Sequence, residues 1–312
     1  MPLAKRLFLI PAFVLLETLF VSCDGGNANG SPSPSARTEI TRAGETLKYP
    51  VLLVHGMGFR DSAHLNYWGR IPAKMEEVGC MVYYGNQDSN GTVESNGEFL
   101  AKRIKEILEE TGAEKINVIA HSKGGLDMRY AISSLQMSGS VASLTTISTP
   151  HHGSQTVDKL LKLPAFLVRI VANCGDRWMR ICGDKNPDTY AVFKIFATEA
   201  AEEFNRNNPD SPEVYYQSYA FIMKHAWSDM LMFVPNLVVN MFEGPNDGLL
   251  APRAVMWTNF RGVVTSNSGR GISHCDEVDV RRRKFTKKQG DGIQDITDFY
   301  VRIVADLREK GF

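Results

Sequence analysis

Residues 116–130, INVIAHSKGGLDMRY, leave the chain little freedom. Ile116-Asn117-Val118-Ile119-Ala120 is an apolar run long enough for one buried parallel strand. His121-Ser122-Lys123-Gly124-Gly125 follows at once, and a helical pattern then puts Leu126, Tyr130 and Leu135 on one side. A strand that turns straight into a helix with Ser at the apex is a nucleophile elbow, usually written G-x-S-x-G. Here the pattern reads Ala120-x-Ser122-x-Gly124. Small residues are needed because strand and helix approach closely, and Ala is the smallest side chain after Gly. The turn lifts the Ser oxygen clear of the sheet and sets it at a helix N-terminus, where unpaired N–H groups favour negative charge.

The rest of the chain supplies the frame for such a turn. Residues 49–54 read as a buried strand running into His55-Gly56-Met57-Gly58, and 81–84 as the next strand. Tyr67-Trp68 opens a helix that runs to Glu77 and is closed by Gly79. Ser95 with Glu98 three residues on predicts a capping box, ahead of a helix with Phe99, Leu100, Ile104, Ile107 and Leu108 on its apolar face. Gly112 stops that helix, and 141–147 is a further strand. Residues 193–205 are helical, 214–219 a strand, and the chain ends in a helix carrying Ile296, Phe299, Ile303 and Leu307. Strands alternating with amphipathic helices predict an α/β fold, a mostly parallel sheet with helices on both faces. Ligands in such sheets sit at the carboxyl ends of the strands, where His55-Gly56 and Ser122 both fall.

The alternation breaks over residues 156–187, which are apolar on nearly every side. This segment is expected to be a lid over an apolar pocket, with added core as the alternative. Cys174 and Cys182 within it are candidates for a stiffening disulfide, since the chain carries an export signal. That signal covers residues 1–23: Lys5 and Arg6 precede an apolar stretch that ends at Ser22-Cys23. The last five residues resemble a bacterial lipobox, which implies a lipidated Cys23 and membrane anchoring; a plain cleaved signal is the alternative. Residues 24–37, DGGNANGSPSPSAR, form a flexible tether, leaving 38–312 as one domain. Lys+Arg and Asp+Glu are equal at 35 each, so nothing points to nucleic acid. The oligomeric state has no signature in the sequence.

A Ser hydroxyl needs a base to take its proton, and the base needs a buried acid to fix its tautomer. In this fold class the order is Ser, Asp or Glu, His. After the elbow helix, and clear of the pair His151-His152, only His225 and His274 remain. His274 follows an acid on a Gly-flanked loop, whereas His225 reads as a core or rim residue. Asp247, in the sharp turn Pro-Asn-Asp-Gly-Leu, is the acid. The N–H groups of Met57 and Lys123 are the candidate oxyanion hole.

These motifs, in this order, resemble the exported bacterial triacylglycerol lipases of the α/β-hydrolase fold. The resemblance rests on Tyr49-Pro50, Val54-His55-Gly56-Met57, Tyr67-Trp68, Ala120-His121-Ser122, Thr149-Pro150-His151-His152-Gly153-Ser154, Asn246-Asp247-Gly248-Leu249 and His274-Cys275-Asp276-Glu277-Val278. It implies a serine carboxylic-ester hydrolase with Ser122 as nucleophile, Asp247 as acid, His274 as base, and no cofactor for the chemistry. The expected substrate is an acyl-ester lipid or lipid interface. An esterase for short or polymeric esters, or an acyltransferase, would use the same triad; a non-catalytic surface lipoprotein is disfavoured because all three positions are filled. The family has Gly where Ala120 stands and Gln or His where Lys123 stands. Many members also hold a calcium ion near the catalytic His. Asp276 fits one of its ligands, and Asp229 lies only near the place of the second.

Overall fold

In the computed structural model, residues 46–61 and 66–312 are described. The expected signal with Cys23, and the tether over residues 24–37, lie outside them. Six parallel strands form one sheet in the order β2-β1-β3-β4-β5-β6. They are β1 (Val51–Val54), β2 (Val82–Tyr84), β3 (Ile116–His121), β4 (Val141–Ile147), β5 (Tyr215–Phe221) and β6 (Phe260–Val264).

The central strands are buried on both faces, which is why their sequences are apolar without alternation. In β1, Val51 and Leu53 enter one core with Trp68, Met75, Phe299 and Tyr300, brought by the turn before α1, by α1 (Ile71–Glu77) and by the C-terminal helix. Leu52 and Val54 enter the other with Leu100, Ile104 and Met128, brought by α2 (Val93–Thr111) and α3 (Lys123–Ser133). The connection after β1 leads to one side of it, and the next crosses to the other. The carboxyl ends of β1 and β3 therefore flank a topological switch point, where ligands bind in open α/β sheets. His55-Gly56 and Ser122 are at those two ends.

After β4 come α4 (Gln155–Leu160), α5 (Ala165–Ile181), α6 (Thr189–Ile195) and α7 (Thr198–Asn207). β5 is followed by α8 (Phe233–Glu243) and α9 (Pro252–Val255), and the chain closes with α10 (Ile296–Glu309). All four apolar positions read for the last helix are buried.

Several local expectations change. Residues 67–70 are turn, and the helix begins at Ile71, with Pro72 in its first turn. The second helix starts earlier than read: Thr92 is its N-cap, and its hydroxyl accepts from the Ser95 N–H at 3.2 Å. Gly112 does end it, at φ 68°, in the left-handed region that suits Gly. The helical stretch read as 193–205 is two helices. β6, absent from the sequence reading, is an edge strand in which half-buried and exposed positions alternate and none is fully buried.

The segment 156–187 is not apolar core throughout. Phe166, Ile170 and Ile181 on α5 are exposed, while Val168, Ala172 and Met179 are buried. The disulfide expectation fails on geometry. Cys174 lies within α5 and Cys182 caps its end, so eight residues of helix hold them about 12 Å apart. A disulfide needs Cα atoms within about 7 Å.

Candidate active site

Ser122 caps the N-terminus of α3 with φ 53° and ψ −129°, a backbone conformation that costs a non-Gly residue free energy. Close packing holds it there. A Cβ on Gly124 would lie 2.5 Å from the His55 carbonyl oxygen, and one on Gly125 2.2 Å from Thr149 Oγ1. Helix and strand ends can thus meet only through glycine at these two places. Thr149 Oγ1 donates to the Ser122 carbonyl at 2.8 Å, which gives the Thr149-Pro150 motif a function in holding the turn. Ala120 packs fully buried in the core beneath, where the small methyl is accepted in place of glycine.

His274 Nδ1 lies 2.9 Å from Asp247 Oδ2, and the His274 N–H donates to the Asp247 carbonyl at 2.8 Å. Asp247 is fully buried. Burial raises its carboxyl, but the His274 ring and the N–H groups of Leu249 and Leu250, both at 2.8 Å to Oδ1, outweigh this and hold it below its ordinary value. An ionised acid aimed at Nδ1 fixes the tautomer that leaves Nε2 as an acceptor. Ser122 and His274 line the same cavity, and no hydrogen bond joins them among the described residues. Such contacts commonly tighten only with substrate bound.

Met57 lines that cavity too, and Lys123, the first residue of α3, follows Ser122 directly. The Lys123 side chain turns away from the site. Its Nζ lies buried against Asp127, 2.7 and 2.8 Å from the two oxygens, and Asn96 completes the pair. An i,i+4 ion pair inside the helix thus accommodates a Lys at the position after Ser122. Burial still lifts the Asp127 carboxyl to about 6.

Sequence reasoning missed a buried chain of polar groups under the site. His121 is 1% exposed, and its ring centroid is 4.5 Å from that of His274. Tyr67 Oη accepts from the Gly56 N–H at 3.0 Å and lies 2.6 Å from His121 Nδ1. His121 Nε2 is 3.0 Å from Glu277 Oε2, and Glu277 is itself 3.8 Å from His274 Nδ1. Burial drives the His121 ring well below its ordinary value and keeps it neutral. With Tyr67 O–H donating to Nδ1, the ring proton is assigned to Nε2, which donates to Glu277. Burial, then the Asp247 carboxylate, hold the Glu277 carboxyl well above its ordinary value. One chain of hydrogen bonds therefore ties the His274 loop to the Gly56-Met57 loop. Tyr67-Trp68 and Glu277 were visible as motifs, but nothing in their spacing assigned them to each other. His225 is exposed, its ring stacked on Trp227 at 4.7 Å between centroids.

The cavity has a volume of about 210 Å³. Its walls are apolar: Leu160, Trp178, Met179, Phe193 and Phe196 from the segment after β4, and Pro235, Val238 and Val239 from α8. A Ser at a strained elbow and an Asp-bound His, both opening on an apolar cavity, suit acyl transfer.

Calcium does not fit the position the resemblance implied. Asp229 and Asp276 do come together, but the guanidinium of Arg281 lies between them. Oxygens that a cation would need are already accepting N–H groups, and a fixed positive charge occupies the space.

The fold and this site define a serine ester hydrolase of the α/β-hydrolase class. The family model described as palmitoyl protein thioesterase matches residues 50–263, and the chain belongs to that family. It is 29% identical to triacylglycerol lipase 2 of Saccharomyces cerevisiae, over 80% of this chain and 75% of that protein. It is 33% identical to a triacylglycerol lipase of Burkholderia plantarii over 57% of this chain, and spans about half (52%) of that relative's length. Among solved structures, a metagenomic carboxyl esterase superposes with a TM-score of 0.64 at 15% identity, covering 98% of this chain and 92% of its own.

Proposed function

We propose that this enzyme is a lipase, hydrolysing triacylglycerols and related long-chain carboxylic esters through an acyl-enzyme on Ser122. The observation that carries this reading is the apolar cavity with Ser122 and His274 in its wall. Its lining suits an acyl chain, and a polar or charged acid would lose its hydration there without recompense. As Ser122 Oγ attacks the carbonyl carbon, His274 Nε2 takes its proton, and Asp247 stabilises the imidazolium that results. The N–H groups of Met57 and Lys123 hold the oxyanion, each worth about 3 kcal/mol in comparable sites. His274 then passes the proton to the departing alcohol and activates a water to release the fatty acid.

Residues 156–187 serve as a lid. The inner face of α4 and α5 covers the cavity, and the outer face leaves Phe166, Ile170 and Ile181 in solvent. Export through residues 1–23 brings the enzyme to external lipid, and a lipidated Cys23 tethers it to a membrane. The mass of the mature N-terminus tests that tether.

A second reading has support of its own, because the matching family is described by acyl thioesters. The same triad cleaves both linkages, so the leaving group is the question. The deciding experiment is a fluorophosphonate label with Ser122→Ala as control, then p-nitrophenyl esters across chain lengths beside palmitoyl-CoA. Labelling of Ser122, with kcat/KM rising toward long acyl chains, is the expected result. An unlabelled Ser122 in folded protein would refute the mechanism; a preference for palmitoyl-CoA over the long-chain p-nitrophenyl ester would favour the thioesterase.

A further inference from the structure

His274 is held on both sides by one ionic cluster. Ser273, just before it, donates its hydroxyl to Asp229 Oδ2 at 2.5 Å and its N–H to Asp276 Oδ2 at 3.2 Å. Asp276, two residues after it, donates its N–H back to Ser273 Oγ at 3.1 Å. Asp229 comes from the segment before α8, a different part of the chain. Both carboxylates are nearly buried, at 4% and 5% exposure, and two such anions together repel unless a cation sits between them.

Arg281 supplies it. Its Nε is 3.0 Å from Asp276 Oδ1, and its Nη2 is 3.0 Å from Asp229 Oδ2. The same Nη2 donates to the Ser228 carbonyl at 2.7 Å, and Arg270 donates to that carbonyl as well. Two carboxylates and a backbone carbonyl converging on one point are the oxygen donors a calcium ion would take. Here their shared partner is a planar fork of N–H groups that is always charged.

We propose that the Arg281 guanidinium is a built-in substitute for a divalent cation, and acts as a positioning residue for His274 by clamping its loop to the Asp229 segment. The role in turnover rests on His274 being the catalytic base; the clamp itself does not. With its own cation attached to the chain, the enzyme is independent of calcium, and removing that side chain opens a place that calcium can fill.

The test compares the purified wild type, Arg281→Ala and Arg281→Lys in excess chelator and in millimolar calcium. Each is followed by melting temperature, by calorimetric titration with calcium chloride, and by kcat and KM on a soluble ester. The wild type should show the same melting temperature in both media and no saturable calcium heat. Arg281→Ala in chelator should melt lower and lose roughly tenfold to a hundredfold in kcat, with KM little changed. Calcium should bind it saturably and recover both. Arg281→Lys, which keeps the charge without the fork, should fall between.

Calcium binding by the wild type, or a lower melting temperature in chelator, would overturn the proposal. So would an Arg281→Ala variant that equals the wild type, or one that calcium leaves impaired, since Arg281 would then be an ordinary ion pair. Should Arg281→Ala not fold, the wild-type titration and Arg281→Lys decide in the same way. Failure of the Ser122 mechanism would show as a missing fluorophosphonate adduct, while the melting and calorimetric readings would stand.

Discussion

Two carboxyl groups lie close to the His274 imidazole, and their surroundings shift them in opposite directions. Asp247 accepts two backbone N–H groups and faces His274, so it stays ionised. Asp247→Asn should reduce kcat by about 10³- to 10⁴-fold while the fold is kept, because an amide favours the wrong tautomer. Glu277 is fully buried beside that carboxylate, and burial first, then the Asp247 charge, holds its carboxyl well above its ordinary value. A raised folded value means its favourable contribution is complete below the ordinary 4.5 and is lost as pH rises through the folded value. Glu277→Gln removes the titration and keeps the shape. The variant should gain stability relative to the wild type as pH climbs from 5 toward 8, by at most about a tenfold change in the folding constant per pH unit. Denaturant melts across that range check it, and a difference that shrinks with pH would contradict the assignment. The neighbouring groups His121, His274, Asp247 and Asp276 remain in both proteins.

Among the elements, α2 and α3 show what fixes their ends. The hydroxyl of Thr92, not Ser95, caps α2. Thr92→Ala should therefore cost about 1 kcal/mol in chemical denaturation, whereas Ser95→Ala should cost much less. Ser95-x-x-Glu98 matches a capping pattern in the sequence, but the start of the helix depends on where Val93 can pack. It is buried with Leu126 and Phe204, which draws the helix start toward it. At the elbow, packing rather than capping sets the geometry. Gly125→Ala would drive a methyl into Thr149 and should destabilise the fold by about 1–3 kcal/mol. Because Thr149 also holds the Ser122 carbonyl, kcat should fall with stability there, and not at Thr92.

In the whole molecule, the segment over the cavity is fastened unevenly. Arg60 Nη1 lies 2.8 Å from Asp184 Oδ1 and 3.1 Å from Asp88 Oδ1, and donates to the Gly183 carbonyl at 2.7 Å. Asp184 also accepts the N–H groups of Ser89 and Asn90 at 2.9 and 2.8 Å. The far end of α5 is thereby clamped to the loop before α2, while its start carries exposed Phe166 and Ile170. Opening would swing α5 about that clamp and expose more apolar surface, costly in water and favourable against lipid. Activity on a long-chain triglyceride should rise steeply once the substrate forms an emulsion. The double variant Phe166→Ser, Ile170→Ser should weaken that rise several-fold and leave soluble short esters nearly unaffected. Equal losses on both substrates would show that the segment is structural.

Much of this was legible in one dimension because the physics is local or strictly ordered. A parallel strand buried on both faces must be a short apolar run, so β1, β3 and β4 were readable within a few residues. The elbow needs small residues at fixed offsets from Ser122, and the order of Ser122, Asp247 and His274 along the chain singled out the same pair that meets at 2.9 Å. What the tertiary structure alone decided involves partners far apart in sequence. Tyr67, His121 and Glu277 share no spacing rule, and they meet only because the turn before α1, the end of β3 and the loop before α10 converge beneath one sheet end. The edge strand β6 has too little burial to leave a pattern. Asp229 and Asp276 were legible as a candidate metal pair. The guanidinium that fills the space between them belongs to a run of four basic residues at 281–284, whose charges by themselves indicate only a solvated surface. Burial and Coulomb attraction selected one of the four, and both depend on distances that a sequence does not contain.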